Sequence, residues 1–441
     1  MSLHFRYLAS LWLAAHALAG APALAEAAPA SEGKAPPAPE PVAAGDWEFK
    51  PGKGITTTSE DGDFQLTLRP RAQFLYALTD DHFAGGRAQQ SLEVRRFRLQ
   101  LGGTAFGKHN HYLLELGLGG REDELTGKDT SRLAATDGAL SMSPVLDAYA
   151  EFDHCRDLTL RIGQYKVPFG RQRVMSEGNF QFVDASLATR EFTFDRDIGI
   201  DLRSRDFLGL DLLKYTAGVY TGQGRNTYAK SEFHMLYLAR VEVLPLGLFE
   251  DYQEGDFERG SGRLAVGGSV GYQQGALRDR GSLGSVPADG GLTDLTVAEG
   301  DVMFKMEGLS VSTELFFRKG VRAAGALLGT TDGTGKVVGL SASRDGVGWY
   351  GQAGYLLPQI PVEFAARYGV IRGKDGREHD ALADGKVDPA KGQFQNELGL
   401  AASYYFARHP LKVQADFFRL YENGRMGEGT NQLRVQLQIA L

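Results

Sequence analysis

The sequence contains a single cysteine and has no hydrophobic run long enough to span a membrane as a helix beyond its extreme N-terminus. With only Cys155 available among 441 residues, an intrachain disulfide framework is excluded, as is a zinc site that needs two or more thiolates. The formal net charge is −7, which gives no support to nucleic-acid binding. A disulfide-stapled, zinc-stabilised or helical membrane protein is therefore not expected.

The N-terminal segment has the three parts of an export signal. Arg6 lies in a short basic region, an apolar stretch follows it, and Ala23-Leu24-Ala25 forms a small-residue cleavage site. We predict a signal peptide over residues 1–25. A membrane anchor is the less favoured interpretation of this segment, because the apolar stretch is short and ends in Gly-Ala-Pro.

The segment after the predicted cleavage site, residues 26–46, is rich in alanine and proline. Such a composition can bury almost no apolar surface, so we predict a flexible or extended linker. The remaining chain, 47–441, is predicted to form one folded domain.

From Phe64 to the last residue, apolar and polar residues alternate. In FQLTLRPRAQFLYAL (64–78), alternate positions are apolar and the positions between them include Arg69 and Arg71. Alternate side chains of a strand point to opposite faces, so this strand has an apolar face and a cationic face. Roughly sixteen segments, each roughly 8 to 15 residues long, follow this pattern, and no convincing amphipathic helix interrupts them.

Tight turns alternate with long loops between these segments. The long loops are expected at 79–91, 119–143, 168–196, 222–232, 274–292, 319–346, 372–393 and 421–431. One connection on the short side, LPLGLFEDYQEGDFERGSG (244–262), is long and breaks the rule. The pattern predicts an all-β transmembrane antiparallel up-and-down β-barrel of about 16 strands, with its long loops at one end. A soluble β-sandwich or propeller also alternates, but no blade-length repeat is visible.

In a membrane barrel the apolar positions face lipid and the polar positions line the lumen. Aromatic residues near strand ends are candidates for the interfacial girdles: Phe74, Tyr76, Phe316, Phe317, Trp349, Tyr355, Tyr404 and Phe406. Pro70 does not fit a closed barrel because it lacks an N–H, and we expect a local bulge there.

Cations concentrate on the predicted luminal faces. If strands 64–78 and 91–103 form a hairpin, four guanidiniums should cluster at similar depth in the lumen, and Arg161 should point the same way. The candidate pore-lining and anion-binding residues are Arg69, Arg71, Arg96, Arg98, Arg161, Lys166, Arg171, Arg173 and Arg190, with Arg196 ending the loop 168–196. A guanidinium suits phosphate because its planar fork offers parallel donors to two oxygens. Strict alternation turns the adjacent Arg95 toward lipid unless a bulge reorients it.

Acidic residues leave a second interpretation open. Glu115, Asp147 and Glu151 are also predicted to face inward. Opposed acidic and basic walls would neutralise each other, giving a general diffusion pore with little preference for anions.

Several motifs, in their order along the chain, resemble the phosphate-selective porins O and P of Gram-negative outer membranes. They are VRRFRLQLGG, DAYAEF followed by LRIGQYKVPFGRQRV, RDIGIDLRS, GWYGQAGYLLP, FAARYG and ELGLAASYYFARHPLKVQADF, and the resemblance covers about residues 50–441. It implies a sixteen-stranded trimeric barrel whose loop after the PFG turn folds into the pore, where arginines and lysines guide phosphate. Carried onto this chain, those positions are Arg95, Arg96 and the basic residues of loop 168–196. The chain departs from outer-membrane barrels in general by ending in Leu441 and not in an aromatic residue.

No catalytic or metal-binding constellation emerges. Ser269 in GGSVG matches G-x-S-x-G but lies in an alternating strand without a following helix, so we expect a small luminal residue. GTTDGTGK (329–336) has the wrong glycine spacing for a phosphate loop, and His109 and His111 lack further metal ligands.

The sequence therefore predicts an outer-membrane porin, without enzymatic activity or cofactor, for small anions such as phosphate or polyphosphate. Its expected partners are outer-membrane lipid, two further copies in a trimer, and the permeant anions. The alternatives are a weakly selective general porin and a non-conducting structural or adhesive barrel.

Overall fold

The computed structural model describes residues 47–80, 88–119, 144–227, 234–284, 291–322, 329–331, 337–340, 345–373, 395–422 and 425–441. The predicted signal peptide (1–25) and linker (26–46) lie outside these residues, as do parts of the long loops. The strands are β1 Glu48–Lys50, β2 Gly54–Thr58, β3 Gln65–Asp80, β4 Gln89–Thr104, β5 Asn110–Gly117, β6 Val145–Phe152, β7 Thr159–Lys166, β8 Arg196–Ser204, β9 Leu213–Tyr220, β10 Leu236–Val243, β11 Arg263–Ala276, β12 Thr293–Met306, β13 Leu309–Arg322, β14 Gly329–Thr331, β15 Val337–Leu340, β16 Gly346–Leu356, β17 Val362–Gly373, β18 Asn396–Ala407, β19 Leu411–Tyr421 and β20 Thr430–Ala440. The helices are α1 Arg171–Val174 and α2 Leu187–Phe192, with 3₁₀ turns at Glu177–Asn179, Phe207–Gly209 and Met426–Glu428.

Sixteen antiparallel strands, β3–β13 and β16–β20, form a closed ring in chain order. The ring closes where β20 pairs with β3, with Leu433 opposite Leu78 and Val435 opposite Tyr76. The predicted barrel is confirmed. The hairpin β1–β2 extends the sheet beside the start of β3, with Ile55 opposite Leu68, and β14–β15 form a separate two-stranded hairpin. No helix in the described part of the chain is both long and apolar enough to cross a membrane.

The connections are short at one end of the barrel, which we call the short-turn end. The turn between β12 and β13 consists of Glu307 and Gly308, both with positive φ (49° and 96°). This geometry matches the twist of two paired strands and favours glycine at the second position. At the opposite, long-loop end, only parts of the connections belong to the described residues.

The side chains alternate around the ring with the apolar set outside. On β10, Tyr237 and Val241 are about half exposed, whereas Arg240 and Glu242 are buried inside. On β20, Leu433 and Val435 point outward and Arg434 is buried. A soluble β-sandwich would bury the apolar set, so that alternative is wrong.

Two expectations about single residues are also wrong. Phe316 is not an outward girdle residue: it is fully buried inside the barrel, with its ring 6.2 Å from Phe192 and 6.3 Å from Phe169. It lies on the inward parity of β13, whereas its neighbour Phe317 is 43% exposed. Of the other candidates, Tyr76 is half-buried and the rest are exposed: Phe74, Trp349, Tyr355, Tyr404 and Phe406.

Pro70 sits in a regular register opposite Leu99, without a bulge. Its carbonyl accepts the N–H of Leu441, so its missing donor lies just beyond the last residue pair between β20 and β3, Ala440 opposite Arg71. The bulge lies instead at Arg95, because Gln73 pairs with Arg96 while Phe74 pairs with Val94. The extra residue turns Arg95 into the barrel, where it is 2% exposed.

Because apolar side chains cover the outer face of the barrel, we expect a charge introduced on that face to destabilise the fold. Val435→Arg places a guanidinium near the middle of β20, and we expect a loss of about 2–4 kcal/mol in the free energy of folding. Reversible unfolding in lipid bilayers measures it. Met426→Arg, on an exposed residue outside the barrel strands, should change this energy little; equal effects of the two variants would contradict the assignment.

Candidate channel constriction

The segment 168–196, which we call the constriction loop, leaves β7 and folds into the barrel. Gly170 begins this turn at φ 81°, and a Cβ there would lie 2.9 Å from Glu314 Oε2, so glycine is required. The hydroxyl of Ser186 accepts the N–H of Thr189 and caps α2. The helices that sequence patterns missed are only four and six residues long, too short to show a helical period.

Aromatic side chains hold the loop against one wall. Phe169, Phe192 and Phe194 are buried and pack with Phe316 and Tyr350, which point inward from the strands. A dry cluster inside a barrel is stabilised by the burial of apolar area, as in any protein core. This part of the cross-section is therefore filled by protein.

The constriction loop also reaches the opposite wall. Nε of Arg171 is 2.6 Å from Asp301 on β12, and Glu177 is 2.6 Å from Arg98 on β4. These two strands are eight positions apart in the sixteen-stranded ring, so the loop spans the lumen. The carbonyl of Phe180 accepts bonds from Lys412 and Gln414 on a third part of the wall, β19.

The candidate arginines of the first hairpin share one region of the wall. Arg71 lies directly opposite Arg98, and Arg96 lies one inward position away, opposite Gln73. Arg69 is separate from them: it is exposed near the short-turn end, where it donates to the carbonyl of Lys53 and to Gln100.

Two carboxylates of the constriction loop form ion pairs with the arginines of this hairpin. Glu177 lies 2.6 Å from Arg98, 3.1 Å from Lys166 and 3.8 Å from Arg71. Asp184 binds three guanidiniums, at 3.1 Å from Arg95, 2.7 Å from Arg96 and 2.6 Å from Arg434. The residues predicted as an open cationic wall are ion-paired to the loop.

The charge state of Asp184 follows from this arrangement. Burial by itself would raise the pKa of the Asp184 carboxyl, but Arg95, Arg434 and Arg96 outweigh it and hold the pKa well below its usual range. The same holds for Glu177, where Arg98 and Lys166 oppose the effect of burial on its pKa. Both carboxylates therefore remain ionised at neutral pH and fasten the loop to the wall.

A second cluster surrounds Arg171. Its guanidinium is 2.6 Å from Asp301, 2.6 Å from Asp251 and 3.3 Å from Glu242. Arg173 pairs with Asp195 within the loop and lies 3.3 Å from Glu177.

The remaining candidates differ in their partners. Nε of Arg161 donates to Glu151 at 2.8 Å, and its guanidinium lies 4.3 Å from the centre of the Tyr149 ring. Arg190, on α2, is half-buried and makes no ion pair with a carboxylate of the described residues. It is the loop cation whose charge is least compensated by direct contact.

Alternation in the later strands would have revealed further luminal cations. Arg240, Arg318 and Arg367 are buried on the inward parity of β10, β13 and β17, and Arg434 on that of β20. NQLRVQLQIAL contains Arg434 on the side opposite Leu433 and Val435, so parity alone points it inward.

Other sequence motifs have structural roles. Ser269 points inward, donates to Glu299 and accepts from Arg240. His109 and His111 each contact the carboxylate of Asp153 near the short-turn end. In the ranges covered by the structure, no group of three or more His, Cys, Asp or Glu residues is arranged to hold a metal ion.

Comparison with known proteins identifies the family. The model of the phosphate-selective porin O and P family matches residues 64–440. The chain belongs to this family. It is thus an outer-membrane porin, and its family is one of channels. A sequence search finds no match among curated proteins.

Several solved structures are similar to this chain at low identity. A loop L8 deletion mutant of OmpT, an outer membrane protein of Vibrio cholerae, is similar with a TM-score of 0.50 at 9% identity, over 85% of this chain and 99% of that one. An anion-selective porin from Comamonas acidovorans has a TM-score of 0.49 at 12% identity, over 85% and 99%. The channel DcaP of Acinetobacter baumannii has a TM-score of 0.48 at 11% identity, over 88% and 100%.

Removing the charge of Asp184 should loosen the constriction loop. Asp184→Asn removes the carboxylate that Arg95, Arg96 and Arg434 share, while Arg434 keeps Asp416 and Arg95 keeps Glu93. Removing one partner of a buried ion pair costs about 3–5 kcal/mol. We expect faster hydrogen exchange in residues 180–187, measured by mass spectrometry on the protein in detergent. Asp61→Asn, in an exposed turn, is the control; unchanged exchange in Asp184→Asn would show that these ion pairs do not hold the loop.

Proposed function

We propose that the protein forms a water-filled channel for passive diffusion of small anions across the outer membrane, with phosphate or polyphosphate as the preferred permeants. The supporting observation is the concentration of guanidiniums from β3, β4 and β20 around the loop that spans the lumen. A permeating anion can exchange water for such donors, provided that binding is weak enough for release.

Arg190 is the residue best placed to act on a permeant. Its charge is not taken up by direct pairing within the described residues, in contrast to Arg96 and Arg98, which are tied to Asp184 and Glu177. An unpaired cation in a low-dielectric lumen raises the local concentration of anions.

A second candidate function is a general diffusion pore with weak selectivity. Among the buried side chains of the described residues, 19 are carboxylates and 13 are lysines or arginines, so this buried set carries no excess of cationic groups. Glu115 and Asp147 bind Arg196, and Glu151 binds Arg161. This pairing is the mutual neutralisation that weakens selectivity.

Planar-bilayer recording distinguishes the two functions. A reversal potential in a salt gradient reports the preference for anions, and block of chloride current by added phosphate reports a phosphate site. An anion preference with phosphate block supports the proposal. A reversal potential near zero favours the general pore, and a silent bilayer favours a structural barrel.

The contribution of Arg190 can be tested separately. Arg190→Gln removes one cation from the constriction loop without releasing a paired carboxylate, so anion preference should fall while the loop stays in place. The measurement is the reversal potential of the reconstituted channel. Arg425→Gln, on an exposed residue in the connection between β19 and β20, is the control; identical selectivity in Arg190→Gln and in the unmodified protein would reject this role.

We further propose export by a signal peptide cleaved after Ala25 and assembly as a homotrimer, both expected from the sequence and the family resemblance. N-terminal sequencing of the mature protein tests the first. The mass of the detergent-solubilised complex tests the second.

A further inference from the structure

Residues 244–262 form a long connection at the short-turn end, where the other described connections are short. The middle of this connection folds into the barrel. Asp251, Glu254 and Asp256 are each at most 2% exposed. A surface turn of this composition would keep its carboxylates in water. We call residues 249–256 the inner turn.

Backbone and side-chain hydrogen bonds join the inner turn to the constriction loop. The N–H of Glu254 donates to the carbonyl of Asn179 at 2.9 Å. The Glu254 carboxylate accepts the backbone N–H of Gln181 on one oxygen at 2.6 Å and Nε2 of Gln172 on the other at 2.9 Å. One side chain thereby fixes the two ends of the segment 172–181.

Charge and packing add to this junction. Asp251 binds Arg171 of the loop at 2.6 Å and Lys214 of the wall at 2.8 Å. The ring of Tyr252 lies 5.2 Å from the Arg171 guanidinium. Phe249 and Tyr252 also pack against a buried apolar cluster that includes Met175 and Phe180 of the loop.

The inner turn is itself anchored to the short-turn end. The carboxylate of Asp256 accepts the backbone N–H of Gly308 at 2.8 Å, and Nε2 of His409 donates to the carbonyl of Glu254 at 2.8 Å. The turn therefore connects the rim of the barrel with the loop that crosses its lumen.

We propose that the inner turn is a second constriction element, entering from the short-turn end, and that Glu254 is the positioning residue that holds segment 172–181 of the constriction loop across the lumen. This inference rests on the proposed function only in that the protein conducts. It concerns the bore of the channel, whichever ions pass.

The first test removes the inner turn. Residues 249–256 are replaced by a short Gly-Ser link, as the other connections at this end are short. We expect a severalfold rise in single-channel conductance and entry of larger neutral sugars in a liposome-swelling assay. A folded variant with unchanged conductance and sugar cut-off would overturn the proposal.

The second test keeps the inner turn and changes only the Glu254 carboxylate to an amide. In Glu254→Gln one carboxylate oxygen becomes an NH₂ group, which cannot accept a bond from Gln172 or Gln181. We expect higher conductance with larger current fluctuations. Glu250→Gln, whose side chain is exposed in the same turn, removes the same charge and should behave like the unmodified protein.

Two measurements separate this role from simple destabilisation and from failure of the proposed function. If Glu254→Gln lowers only the temperature at which the barrel unfolds and leaves conductance unchanged, the positioning role is wrong. Conductance in symmetrical KCl reports the bore, whereas the reversal potential reports ion preference, so loss of anion preference alone would not contradict the inference.

Discussion

Backbone hydrogen bonding in a medium without water is the constraint on which the rest of this structure depends. A strand in hydrocarbon cannot leave its N–H and C=O groups unpaired, so the sheet must close on itself. Pairing of β20 with β3 achieves this closure. Once the ring is closed, the two-residue period of a strand sends every second side chain to lipid and the others to the lumen. The position of Pro70 at the end of the β20 pairing shows how a residue without a donor fits such a ring.

Closure of the ring also brings many charged side chains together inside the barrel. Polar side chains from sixteen strands meet in a narrow space, where an unpaired charge is costly and a broken pair more so. The constriction loop reduces the number of unpaired charges, because it places Glu177 and Asp184 among arginines of the wall. The loop is therefore held by the same charges that could attract an anion. Under the proposed function, anion preference comes from cations that pairing leaves over, such as Arg190 on the constriction loop.

Among the residues that the structure describes, two segments fold into the interior of the barrel. The constriction loop comes from the long-loop end, and the inner turn comes from the short-turn end and bonds to it through Glu254. An aromatic cluster fills the lumen on one side, around Phe316 and Tyr350. The bore is set by how these pieces fit together, because the barrel wall alone would enclose a much wider space.

By itself, the sequence determined the strands, their order, the faces they present and the family motifs, because these depend on local alternation and turn chemistry. It also placed Arg71 beside Arg98, since a hairpin with one loop has few possible registers. Tertiary structure decided what alternation cannot express. The bulge that turns Arg95 inward, the packing of Phe316 against Phe169 and Phe192, the pairing of the arginines with Glu177 and Asp184, and the inward fold of 244–262 all depend on contacts between residues distant in the chain. A period-two pattern gives a direction for each side chain but not the partner that it meets across the lumen.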